Sequence, residues 1–185
     1  MIYRFVMVSD EVDDFKRVIA IDSEDTFMSL RNAVLDSVGY THDQMDSFLI
    51  CDSDWSARAE VTLTDMGSDS ISDVWIMADT KLEELVEEEG QRLRFVFDAL
   101  ADRSFFMELK QVKYSATLDE PVVEKSVGDA PRQTTDIDEL LAAPTPAGKG
   151  GGTEFDADAD FYGDDSYSDD ELDAEGYVDL ESLDM

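Results

Sequence analysis

Asp98 and Asp102 stand four residues apart, at either end of a short break between two alternating apolar runs. A pair of acids at such a loop suits general acid–base work or a divalent cation, provided a nucleophile, a base or further ligands converge on it. The plainer alternative is turn chemistry, because an Asp side chain accepts from the backbone of its own turn. His42 is the lone histidine. It could ligate a metal with Asp43 or Asp46, but its place just past a helix end among polar residues fits a surface or capping role. Cys51 is the lone cysteine, which excludes an intrachain disulfide and a multi-cysteine zinc site. Asp52 and Asp54 beside it would raise its pKa, whereas a reactive thiolate needs cationic neighbours, so a buried, inert thiol is expected. Trp55 and Trp75 flank the irregular stretch 52–80, either as an aromatic contact site or as covers for the edges of a core. In DADADFYGDDSY, Asp156, Asp158 and Asp160 take the first, third and fifth positions of a calcium loop. Phe161 then stands where glycine is needed and Tyr167 where a bidentate glutamate is needed, so the loop fails as an EF-hand.

These residues need elements to hold them. YRFVMV (3–8) and FKRVIAI (15–21) read as strands of a hairpin. Phe27, Leu30, Val34 and Val38 share one helical face, with Asp25 as a cap and Gly39 as the left-handed stop. SFLIC (47–51), AEVTL (59–63) and a short VWIM (74–77) follow as strands. TKLEELVEEEG reads as a second helix, with Thr80 and Glu83 at capping-box spacing and Gly90 at its end. RLRFVFD (92–98) and FFMELKQV (105–112) alternate and form a second hairpin. The expected fold is an α+β domain over 1–115: a mixed or antiparallel sheet with two helices and a β-grasp-like opening.

Beyond that point the periodicity fades. Residues 116–152 read as a linker with a short helical stretch at 135–143, and 153–185 as a disordered acidic tail with 14 acids and no base. The 185-residue chain carries a net charge of −32. Residues 1–115 hold 25 acids against 11 bases and residues 116–185 hold 21 against 3, so the shorter part has the larger excess. Such a charge repels nucleic acid and anionic membranes and favours a protein partner with a basic surface. No apolar run approaches the roughly 18 residues of a membrane span, and the opening MIYRFVMVSD lacks the pattern of a secretory leader. A cytoplasmic location is expected. Oligomeric state is not encoded in any of these signals.

The stretches YRFVMV, FKRVIAIDSEDTFMSLRNAVLDSVGY, HDQMDSFLIC and LEELVEEEGQRLRFVFDALADRSFFMEL together resemble the root-inducing-plasmid ORF-three-like family, also described as insertion-sequence passenger proteins of the TnpR type. The likeness covers roughly residues 3–112. The family has a Trp-containing helix exit, then His-Leu-His and a Phe strand. Here Gly39-Tyr40, His42 and Phe48 stand in that order. A second family signature, Tyr-Asp-Phe-Gly-Asp-x-Trp, corresponds to the run Phe97 to Phe106, with Asp98 matching its first Asp and Asp102 its second. The Gly and Trp of that signature are absent. The resemblance implies an α+β fold and no stated activity. A recombinase would need an activated serine among arginines and a basic DNA-binding element, which the charge opposes.

The function expected from the sequence is that of a non-enzymatic interaction module without cofactor or metal. It binds a protein partner, and its acidic tail reaches basic surfaces or mimics nucleic acid, with Phe155, Phe161, Tyr162, Tyr167 and Tyr177 as contact residues. Three alternatives stay open: a small-ligand or enzymatic site at the 98–102 loop, an accessory protein of a mobile element without catalytic activity, and a purely solubilising role.

Overall fold

The computed structural model describes residues 1–65 and 75–135. The stretch proposed as a short helix at 135–143 lies outside them save for Thr135, and the acidic tail at 153–185, with its tyrosines and phenylalanines, lies wholly outside.

Eight strands form one sheet: β1 (Ile2–Ser9), β2 (Lys16–Asp22), β3 (Ser47–Cys51), β4 (Ala57–Thr62), β5 (Trp75–Ile76), β6 (Arg92–Asp98), β7 (Arg103–Lys113) and β8 (Val122–Val127). Their spatial order is β5-β4-β3-β6-β7-β1-β2-β8. Every neighbouring pair is antiparallel except β4 and β5. The two hairpins foreseen at 3–21 and 92–112 are present and lie side by side, joined by β7 against β1. The one α-helix among the described residues, α1 (Phe27–Val38), links β2 to β3.

Alternation within the strands decides which side is covered. Tyr3, Phe5 and Met7 of β1, Ile19 and Ile21 of β2, Phe48 and Ile50 of β3, Leu93, Phe95 and Phe97 of β6, and Phe105, Met107 and Leu109 of β7 belong to one buried cluster with Phe27, Leu30, Val34 and Leu35 of α1. The Phe48 ring lies tilted 4.8 Å from Phe95 and 5.5 Å from Phe27, which locks the helix to the middle of the sheet. The start of α1 is capped by Thr26, not Asp25: the Ser29 N–H donates to Thr26 Oγ1 at 3.3 Å. Gly39 takes φ 70° and ends the helix as expected, with Tyr40 N–H donating to Leu35 O at 3.0 Å.

The expected two-helix α+β architecture is incorrect. The segment foreseen as a second helix holds only a 3₁₀ turn at Leu82–Glu84. Leu82 and Val86 are buried, as an amphipathic pattern requires. However, Leu82 and Glu83 donate their N–H groups outward, to Asp25 O at 2.8 Å and Ser23 O at 3.0 Å. A helix there would also stack Glu83 on Glu87 and Glu84 on Glu88, like charges one turn apart. The backbone is better satisfied by pairing with the loop before α1. The capping pair is Lys81 and Glu84, where Lys81 N–H donates to Glu84 Oε1 at 2.8 Å. The β-grasp-like opening likewise gives way to a single eight-stranded sheet.

The sheet also runs past residue 115. β8 pairs with β2 along Lys16–Ala20, with a bulge that leaves Glu124 as an extra residue between the pairs Ile19–Val123 and Val18–Lys125. After it, residues 128–135 fold back along the domain as a strap, described below.

Candidate functional site

The side of the sheet away from α1 carries a cluster built by the other parity of the same strands. The register sets Arg92 opposite Glu108, Arg94 opposite Phe106 and Val96 opposite Ser104. The β3–β4 turn adds Trp55, whose φ of 65° lies in the left-handed region. A bulky side chain is rarely found there, and the conformation costs roughly 1–2 kcal/mol. The turn holds it through Trp55 N–H donating to Asp52 O and Asp52 N–H to Ser56 O, both at 3.0 Å. The result is that the indole meets the edge of Phe106 at 4.9 Å and 84°, and the Arg92 guanidinium lies 4.8 Å over the indole. Arg94 sits 5.5 Å over Phe106 and donates to Ser104 Oγ at 3.0 and 3.1 Å. Arg92 also donates to Ser53 O and approaches Glu108 at 3.7 Å, while Lys110 reaches Glu108 at 2.7 Å. Arg92, Trp55, Phe106 and Arg94 thus follow one another as cation, ring, ring and cation. Contacts of this kind between rings and planar guanidinium groups hold the β3–β4 turn against β6 and β7.

The 98–102 loop is organised differently. Asp98 faces the strap: its carboxylate accepts from Ala101 N–H at 3.3 Å, and from Thr135 N–H at 3.3 Å and Thr135 Oγ1 at 3.1 Å. Burial opposes its charge, but these bonds and nearby Arg103 outweigh that and hold the carboxyl below its usual range. Asp102 is exposed, takes φ 51° and points to Arg94 at 3.4 Å. The two acids therefore serve different partners. Arg103 ties three segments together. It forms a bidentate pair with Glu11 at 2.9 Å, donates to Thr135 Oγ1 at 3.1 Å and Arg132 O at 2.6 Å, and lies 5.0 Å over Phe97. Gln133 reads the backbone of Thr41 from both sides, accepting from its N–H and donating to its C=O, each at 2.8 Å. Tyr40 donates to Pro131 O at 2.6 Å and packs on Phe97 and Phe105; its burial pushes the phenol pKa up.

The remaining sequence candidates separate. His42 lies on the surface, 2.8 Å from Asp36, and only its carbonyl contributes inward, accepting from Arg31 at 3.0 Å. Arg31 is itself buried and donates to Asp46 at 2.6 Å. Burial raises the Asp46 pKa against the pull of that arginine. Cys51 is buried, and burial raises its thiol, Arg94 lowers it and Asp52 and Asp54 raise it. Phe48 and Phe97 are core. Trp75 packs against the core edge while Trp55 stands on the other face, so the two tryptophans do not form one surface. Phe106 and Trp55 are the two candidates that meet. Among the described residues no group of three or more His, Cys, Asp or Glu could hold a metal. No helix among them is long and apolar enough to cross a membrane. Arg92, Arg94, Glu108, Arg103 and Gln133 were not singled out in sequence. The signal for the first three is the polar half of the alternation that revealed the core.

No family model matches the chain, and no curated protein matches it. Among solved structures it is similar to the crystal structure of a protein of unknown function, MM3350, from Methanosarcina mazei Go1. The two share 12% sequence identity over 68% of each chain, with a TM-score of 0.50. At that identity the likeness concerns the fold alone.

Proposed function

We propose that this chain is a non-catalytic interaction protein that acts in the cytoplasm on a protein partner with a basic surface. One observation carries the reading: among the described residues exposed acids far outnumber exposed bases, and several arginines are held inside or in ion pairs. Arg17, Arg31 and Arg92 are buried. Arg17 donates to the carbonyls of Lys16, Ser37, Val127 and Gly128, and Arg31 to Asp46 and two loop carbonyls. Arg4 is paired with Glu124 at 2.7 Å and Arg103 with Glu11. Among the described acids only Asp22, Asp46 and Glu108 are buried. Glu83, Glu84, Glu87, Glu88 and Glu89 form an exposed acidic run, and Asp52 and Asp54 are exposed on the β3–β4 turn. The buried charges cancel, three arginines against three acids, so the outer surface keeps the acidic excess of the chain, and its field favours a cationic face.

The test is affinity capture with the full chain and with a Glu87→Lys/Glu88→Lys variant, at about 0.05 M and about 0.5 M salt. The expected result is one stoichiometric basic protein, lost at high salt and depleted by the variant. An acidic partner, or capture indifferent to salt and to the reversal, contradicts the proposal.

A further inference from the structure

Among the described residues the strand β8 ends the sheet on one side, and all six of its residues are exposed. Val122, Val123 and Val127 keep 46%, 39% and 41% of their surface in solvent. An open strand edge of this length is a template for another strand unless it is blunted. Here the usual blunting devices, a bulge and a Glu-Lys pair, have a second property: they are complementary to themselves. We propose that β8 pairs with β8 of a second copy, antiparallel about a two-fold axis, so that the two sheets become continuous across a homodimer.

The register follows from the residues. Set antiparallel about the Glu124–Lys125 junction, VVEKSV places Val122 opposite Val127 of the second copy, Val123 opposite Ser126, and Glu124 opposite Lys125. Two-fold pairing repeats each contact, so both Glu-Lys pairs form at once. In antiparallel pairing, residues opposite each other must both direct their backbone groups across the junction, or both away from it. An unbulged strand fails this condition in that register, since 122 and 127 differ in parity. The bulge supplies the correction. Val122, Lys125 and Val127 stand opposite Ala20, Val18 and Lys16 of β2, while Val123 and Ser126 stand opposite Ile19 and Arg17. Val122 and Val127 are therefore of one backbone class, and Val123 and Ser126 of the other, as the pairing demands. The extra residue, Glu124, lies on the side of the sheet of Arg4, to which it is paired at 2.7 Å. That is also the side of Lys125, so the facing charges share a face.

The edge is held in place before any partner arrives. Arg17 donates to Val127 O at 2.5 Å and Gly128 O at 3.0 Å. Gly128 takes φ 66°, and a Cβ there would stand 2.4 Å from Asp14 O, so the end of β8 is pressed against the β1–β2 loop. Pre-ordering of this kind lowers the entropy cost of strand addition.

The test is sedimentation velocity on the full chain across concentration and salt. Each chain carries −32, so the dimer should tighten as salt screens that repulsion, the opposite of binding to a basic partner. Val122→Lys/Val127→Lys should shift the dissociation constant at least about tenfold towards monomer, with the circular dichroism spectrum unchanged. Lys125→Glu should weaken the dimer, and adding Glu124→Lys to it should restore the dimer to within about threefold, as complementary charges require. A chain that stays monomeric at about 1 mM overturns the proposal. So does a dimer that ignores the valine variants, or one that a foreign extended peptide on β8 does not compete away.

Discussion

The two faces of the sheet differ in what they bury. Towards α1 the cluster is almost wholly apolar, from Tyr3 and Phe5 through Phe48 and Phe95 to Phe105. On the other side, valines such as Val8 and Val18 are as well buried, yet Arg92 and Glu108 are buried among the same strands. Hydrophobic area stabilises the first face without direction. The second depends on charges that must meet at fixed distances, because a buried charge is costly unless paired. One side of the sheet is thus held by apolar area and the other partly by paired charges.

The sharpest break in that comparison comes from the core. Phe95→Ala should cost about 3–5 kcal/mol of unfolding free energy in a denaturant titration. A loss below about 1 kcal/mol would mean that the helix-covered face is not the one that holds the fold. Arg31→Met should cost about 3–5 kcal/mol as well, because it strands the Asp46 carboxylate. The double variant Arg31→Met/Asp46→Leu should recover most of that, and a double variant no better than the single would refute the pairing account.

A smaller effect tests the strap. The Asp98 carboxyl is held below its usual range, so its folded pKa lies under its unfolded value of about 3.9. Its stabilisation is complete above that unfolded value and disappears as pH falls through the folded one. Asp98→Asn should therefore cost about 1–3 kcal/mol near neutrality and nothing at strongly acid pH. Thermal melts of both proteins against pH would show the curves converging in acid. Parallel curves would remove Asp98 from the strap.

The smallest effect sharpens the second face. Trp55→Gly relieves the left-handed strain while Trp55→Ala keeps it, and both lose the ring contacts. The alanine variant should be less stable than the glycine variant by about 1 kcal/mol. Equal stabilities would mean that the turn relaxes when the indole is gone.

Much of the core was legible in sequence because it alternates. Tyr3, Phe5 and Met7, then Leu93, Phe95 and Phe97, expose a period of two that no other element mimics. Helix α1 was legible through Phe27, Leu30 and Val34 and its glycine stop. The segment 80–90 was misread because Leu82, Leu85 and Val86 have helical spacing whether they lie on a helix or anchor a single turn. What decided it was a set of distant carbonyls, those of Ser23 and Asp25. Strand β8 gave no signal because neither of its sides is buried, so Val122–Val127 has no reason to alternate. The Arg92–Trp55–Phe106–Arg94 cluster was half legible. Trp55 and Phe106 stand out in the sequence, but nothing in the alternation of β6 marks Arg92 and Arg94 as their neighbours. The strap was hidden for a similar reason, since Gln133 and Thr135 acquire meaning only beside Thr41 and Asp98.

The proposed electrostatic recognition is tested most directly by the rate at which the captured partner associates with this chain as salt is raised. Stopped-flow mixing from about 0.02 to about 0.5 M salt should show the association rate constant falling by at least about tenfold, with dissociation changing far less. Glu87→Lys/Glu88→Lys should flatten that dependence. A rate constant that does not respond to salt, or one that rises with it, contradicts electrostatic recognition of a basic surface.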